Sequence, residues 1–222
     1  MAKRLDYWQK AVGGLINLYN YVPFKLDAMN DGYRLILLQK PINKKAYNIM
    51  LELEAKELDG EKGELPEPFE EITNYTASIN LMIAYDRLEK GNVDDALAII
   101  DKTLENQKEV GDETYNSLEG LKLFIKCNRD KEEDLTKYYQ ELDSKTKKAI
   151  SSCKDIEMAL SYLYLSIIVE KSKYELQHAQ TMFQKDLKKL SEGRKAIVKK
   201  LYDQAIQDLS KKYPTYFKEE EE

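Results

Sequence analysis

The sequence predicts an all-α protein in which antiparallel helix pairs stack on one another, preceded by an N-terminal helical segment. Three observations lead there. Gly 9 and Pro 5 among 222 residues leave few points where the chain must turn sharply. Apolar residues recur at helical spacing along most of the chain. From residue 69 onward, helix-start signals return at Asn92, Asp130 and Ser172, intervals of 38 and 42 residues. With 34% charged and 42% hydrophobic residues and a mean hydropathy of −0.63, the chain has the composition of a folded globular protein. Collagen-like, mucin-like and disulfide-scaffold classes are excluded. A formal charge of −5 makes the whole molecule no polyanion binder, so no nucleic-acid partner is expected.

The elements follow in order. Residues 4–20 read as a helix that stops ahead of Pro23, because a proline pushes the residue before it out of the helical region. A second helix starts near Asn30 or Asp31, either of whose side chains can accept the free N–H groups of a first turn. A third carries Tyr47, Met50, Leu51 and Glu54 on one face and ends at Asp59-Gly60. The proline- and glycine-containing stretch EKGELPEP then marks a boundary. It separates residues 1–60, an N-terminal helical segment, from residues 69–218, a helical domain, with 61–68 as an acidic linker.

Charge is uneven along this chain. Residues 1–45 carry eight Lys/Arg against three acids. Two readings stand: a Lys-rich helix, or a basic head contacting the cytosolic face of a membrane. No stretch resembles a signal peptide, and no window reaches the roughly 20 apolar residues of a spanning helix.

In the helical domain each start signal opens the second helix of a pair. Asn92 with Asp95, Asp130 with Glu133 and Ser172 with Glu175 are capping-box arrangements or relatives of one. Behind them Val93, Ala96, Leu97, Ile100 and Leu104, then Leu135, Tyr139 and Leu142, then Leu176, Ala179 and Phe183 mark buried faces. The first helices of the pairs are 69–90, with Ile72, Tyr75, Ile79 and Met82 inward, then 113–126 and 155–170. The last contains MALSYLYLSIIV, apolar on nearly every side, and is expected to be the most buried. A terminal helix over 193–209 turns Ile197, Leu201, Ala205 and Leu209 inward, Pro214 ends it, and residues 219–222 form an acidic end.

Over Asn80–Leu104 the residues resemble the tetratricopeptide repeat: Ile83-Ala84, Gly91, Val93, Ala96 and Ile100 fall at its large-small pair, turn glycine, turn apolar residue, small packing residue and second-helix anchor. Arg87 stands where an aromatic is usual, and the intervals exceed the repeat's length of about 34 residues. The resemblance implies a short tetratricopeptide-like solenoid whose groove takes a protein or peptide ligand.

Residues 12–60 contain Asn20-Tyr21-Val22-Pro23 followed by Asn30-Asp31-Gly32. This resembles the Asn-x-x-Pro … Asp-Gly motif of site-2-type membrane zinc metalloproteases. By that resemblance Asp31 is the candidate third zinc ligand, with Asn20, Pro23 and Gly32 shaping the motif. Such enzymes need H-E-x-x-H, which supplies two zinc ligands and a general base. The one histidine here is His178, so this chain alone is expected to be inactive and to hold no cofactor, with zinc entering only if the missing protease portion is present. Asn30 and Asp31 as simple helix caps remain the other reading.

The resulting expectation is a cytoplasmic, non-catalytic interaction region attached to the C-terminal end of a site-2-type homologue. The alternative is a stand-alone tetratricopeptide-like scaffold. His178 reads as a hydrogen-bonding helix residue rather than a ligand, and Cys127 and Cys153 as small buried residues rather than nucleophiles. Lys185–Lys200, with seven basic residues against two acids, reads as a solvated face or an anion-binding one. Sixteen tyrosines suit interhelical grooves and peptide-binding surfaces alike.

Overall fold

All regular structure among the described residues is helical. The computed structural model describes residues 35–58, 61, 63–190 and 192–217. The helix expected over 4–20, the caps at Asn30 or Asp31 and the acidic end at 219–222 lie outside them. Nine α-helices follow: α1 (Pro41–Leu58), α2 (Asn74–Glu89), α3 (Val93–Leu104), α4 (Asp112–Arg129), α5 (Glu132–Glu141), α6 (Ser144–Ser151), α7 (Ile156–Ile168), α8 (Lys173–Leu187) and α9 (Glu192–Lys212). None is long and apolar enough to cross a membrane. The chain divides into two compact units, Met1–Glu52 and Leu53–Glu222, so the division falls inside α1. In the first unit Asn43 and Ala46 are buried one turn apart, and the Asn43 amide donates to the Leu37 carbonyl at 2.8 Å.

Within the second unit residues 63–69 form no helix, in keeping with two prolines within four residues. Helix α2 therefore begins at Asn74, not at Phe69. Thr73 caps it in a box closed by Thr76. Phe69 is held instead by Asn80, whose Oδ1 accepts the Phe69 N–H at 2.8 Å and whose Nδ2 donates to the Phe69 carbonyl at 3.1 Å and to Thr103 at 3.2 Å. One buried amide thus ties the end of the linker to α2 and α3.

Helices α2 and α3 pack as a pair through Ile83, Ala84, Ala96 and Ile100, all at most 1% exposed. Between them Gly91 takes φ +80°, which residues with a Cβ adopt only under strain. Asn92 stands at the N-cap of α3 without a side-chain bond, and Asp94 and Asp95 favour the positive end of the helix dipole. The expected cap at Asp130 is not formed. Lys126 captures the Asp130 carboxylate at 3.1 Å one turn back, and Lys131 occupies the N-cap of α5.

Helix α6 was not expected from the sequence. Asp143 caps it, accepting the N–H groups of Lys145 at 2.8 Å and Thr146 at 3.0 Å. With only Thr146, Ala149 and Ile150 buried, its apolar stripe is too short to stand out as periodicity.

Helix α7 is buried along its whole length from Ile156 to Ile167, between α4 and α8 and against α6 and α9. Ser172 caps α8 as expected, accepting the Glu175 N–H at 3.2 Å. The box stays half closed, because the Glu175 carboxylate accepts the Tyr162 hydroxyl at 3.0 Å. Helix α9 buries only Val198, Ala205 and Leu209 of its 21 residues and stacks Tyr202 on Phe183 of α8 with ring centroids 4.1 Å apart.

Candidate functional site

Charged side chains described in this unit are mostly solvated; Asp86 is covered, and the most deeply buried of them stands at the start of α7. Glu157 has no exposed surface. Its position depends on Gly120 of α4, where an added Cβ would lie 2.9 Å from the Glu157 Cβ and 3.0 Å from the Met158 nitrogen. Glycine lets the two helices approach that closely, and Ser161 fixes the contact by donating to the Gly120 carbonyl at 2.6 Å. A carboxylate so far from water needs partners. It has two on Oε1: the Tyr85 hydroxyl from α2 and the Arg194 guanidinium from α9 both donate to it. Oε2 has no hydrogen-bond partner.

The electrostatics follow from that geometry. Burial, and then the negative charge of Glu157, push the Tyr85 hydroxyl well above the usual tyrosine range, so it stays a donor. Burial works against charge on Arg194, but Glu157 and Tyr85 outweigh it and keep the guanidinium protonated. The guanidinium also lies 5.6 Å from the centre of the Tyr85 ring. Asp155, two residues before Glu157, caps α7 by accepting the Met158 N–H at 2.9 Å. Burial first, and the Glu157 charge second, push its carboxyl up to about 7. The start of α7 thus presents two acids whose charge is opposed by the Arg194 guanidinium.

Beyond Arg194 the same helix lines a cleft of about 330 Å³. Ile197 and Leu201 of α9 face Leu88 and Val93 at the α2–α3 turn and Phe124 and Ile125 of α4, with Lys200, Gln204, Asn128 and Arg129 among the polar lining residues. Arg129 pairs with Asp94 at 2.6 Å. Past the cleft, Lys212 reaches Glu132 at the start of α5 at 2.7 Å, and the Tyr213 hydroxyl donates to the same carboxylate. From Arg194 to Lys212 the helix therefore touches the first helix of every pair and the start of α5.

The residues singled out in the sequence fare unequally. Asn20, Pro23, Asp31 and Gly32 lie outside the described residues. Among the described residues there is no group of three His, Cys, Asp or Glu side chains able to hold a metal ion. His178 is half-buried on α8. Both cysteines are buried, and burial pushes the Cys127 thiol far up and the Cys153 thiol to about 12, so neither is a thiolate near neutrality. Ile197 and Leu201, expected inward, line the cleft half-exposed, while Val198 takes the buried position. The Glu157, Arg194, Tyr85 and Asp155 cluster was missed. A glutamate inside MALSYLYLSIIV's own helix, flanked by apolar residues, was the available signal.

Comparison with protein-family models, with curated proteins and with solved structures finds no match for this chain.

Proposed function

We propose that residues 69–218 are a protein-interaction region of tetratricopeptide-like kind, acting in the cytosol and binding a protein or peptide rather than performing a reaction. The cleft bounded by α2, α3, α4 and α9 carries this reading. Its core is aliphatic and aromatic, its margin has cationic and amide groups, and it lies where successive helix pairs meet. Stacked helix pairs bind extended or helical peptides in such places because side chains from several helices converge there without a dedicated loop.

A photoreactive residue placed at Lys200 or Gln204 tests it. One discrete crosslinked product from these sites, absent when the same residue replaces exposed Tyr174 on α8 and lost on Val93→Asp, is the expected result. The same products from both sites, or none from Lys200 and Gln204, overturn the reading.

The Asn20-x-x-Pro23 … Asp31-Gly32 resemblance supports a second reading, in which this region is carried at the C-terminal end of a site-2-type metalloprotease homologue. In that setting Asp31 would complete a zinc site whose histidines lie outside these 222 residues. The purified chain alone is then expected to bind zinc weakly. Stoichiometric, dialysis-resistant zinc, measured by atomic emission, contradicts it.

A further inference from the structure

We propose that the partner seated in the cleft is an acidic amphipathic helix, whose apolar side chains enter between α9 and α4 while two of its carboxylates, three turns apart, meet Lys200 and Lys211. This inference deepens the interaction reading above and rests on it, with α9 staying in place as a wall of the site.

Most basic side chains of α9 are neutralised within the chain: Arg194 pairs with Glu157, Lys195 with Glu192 at 2.6 Å, Lys199 with Asp203 at 2.5 Å and Lys212 with Glu132 at 2.7 Å. Lys200 and Lys211 pair with nothing among the described residues. Helical geometry puts these two on one face, because Lys200, Gln204, Gln207 and Lys211 stand at i, i+4, i+7 and i+11, and all four are exposed. At 1.5 Å per residue the two lysine positions are about 16.5 Å apart. Lys200 and Gln204 line the cleft, so the stripe borders its mouth and continues beyond it for two turns. The acids of α9 lie off this stripe: Asp203 is taken by Lys199, and Asp208 acts on the Tyr164 hydroxyl, helping to keep it protonated. Across the mouth Arg129 is paired with Asp94, and Glu89 is engaged within the chain. The charge left over at the cleft is therefore positive.

A positive rim beside an apolar floor selects a ligand that carries both complements in register. The net charge of −5 works against long polyanions and strongly anionic membranes, so the matching anions must be few and local. A helix laid beside α9 advances by the same 1.5 Å per residue. Acids at its own i and i+11 meet both lysines at once, and bulky aliphatic or aromatic residues within a turn of the first acid reach Leu88, Phe124 and Leu201 in the cleft. A volume of about 330 Å³ lies near the lower end of the range for binding pockets, which suits a few side chains of such a helix.

The test uses the full chain and two fluorescent alanine-based helical peptides with the same leucines, one carrying Glu and the other Lys at the two positions i and i+11. Wild-type protein is expected to bind the Glu peptide about tenfold tighter at low salt, an advantage that fades as salt rises. Lys200→Glu combined with Lys211→Glu is expected to reverse the preference, and because both side chains are exposed the variant keeps its fold. No preference in the wild type, a preference that salt and the double variant leave unchanged, or failure of the Glu peptide to bind overturns the proposal. Vesicles of phosphatidylserine and phosphatidylcholine that displace the Glu peptide from the wild type would assign the lysines to a lipid surface and overturn it as well. The crosslink from Gln204 keeps the two readings apart. Its absence sinks the interaction reading itself, whereas a retained crosslink without an acid preference sinks only the acidic partner.

Discussion

At the residue scale the Asp155–Glu157 pair makes the sharpest prediction. The Asp155 carboxyl, pushed up to about 7, keeps its proton in the folded chain where the unfolded chain has already released it, from about pH 4 upward. Stability contributed by this group is therefore greatest at low pH and falls as pH rises to about 7, after which it levels off. Asp155→Asn keeps the acceptor for the Met158 N–H and cannot ionise. Its unfolding free energy by urea titration is expected to gain on wild type from pH 4 to 7 and to run parallel above. A constant difference would show that burial and the Glu157 charge do not raise the Asp155 carboxyl. Asn80 makes the complementary case. Its amide satisfies both backbone groups of Phe69 and donates to Thr103 in a water-poor setting. Asn80→Ala leaves those groups without partners and is expected to cost about 2–3 kcal/mol, measured by urea titration. A smaller loss than that of an exposed asparagine such as Asn106 would refute the role.

At the scale of elements, close approach of α4 and α7 decides where the buried glutamate sits. Gly120→Ala puts a methyl 2.9 Å from the Glu157 Cβ and 3.0 Å from backbone nitrogen, neither of which can swing aside. The helices must separate, at an expected cost of about 1–3 kcal/mol. Thermal melting checks it, and an unchanged midpoint would mean the contact relaxes freely. Gly91 differs in kind. An added Cβ meets nothing within 4 Å, so the cost of Gly91→Ala comes from φ +80° alone, about 1 kcal/mol. Gly91→Asn, which tolerates that region, is expected to lose less.

At the scale of the second unit, burial and not local sequence controls reactivity. Cys127 lies 8% exposed on α4, its thiol 3.9 Å from the Ser161 carbonyl, and Cys153 is fully covered at the α6–α7 turn. With both thiols held above neutrality, their modification by a disulfide reagent requires opening of the fold. The two should react at similar slow rates that rise together with urea in step with global unfolding. Rapid reaction of either under native conditions would place it on a separately opening element.

Amphipathic periodicity, read residue by residue, determined the helical class and most of the elements. Ile79 with Ala96 and Ile100 announced the packed pair of α2 and α3, although Met82, read as inward with them, is exposed, and MALSYLYLSIIV announced the buried α7, because an apolar helix face has one stable use in water. Ser172 announced its cap for the same local reason. Asp130 did not behave as read, since Lys126 within the preceding helix took its carboxylate. Short α6 escaped because three buried residues make no visible period. What tertiary structure alone decided was the meeting of Glu157, Tyr85 and Arg194, which come from three helices, the first two residues being 72 positions apart. No local pattern records such a meeting, because desolvation and the approach of α4 to α7 at Gly120 exist only once the helices have packed. The cleft under α9 belongs to the same category: Ile197 and Leu201 look like core in the sequence, and only the seat they face leaves them half covered.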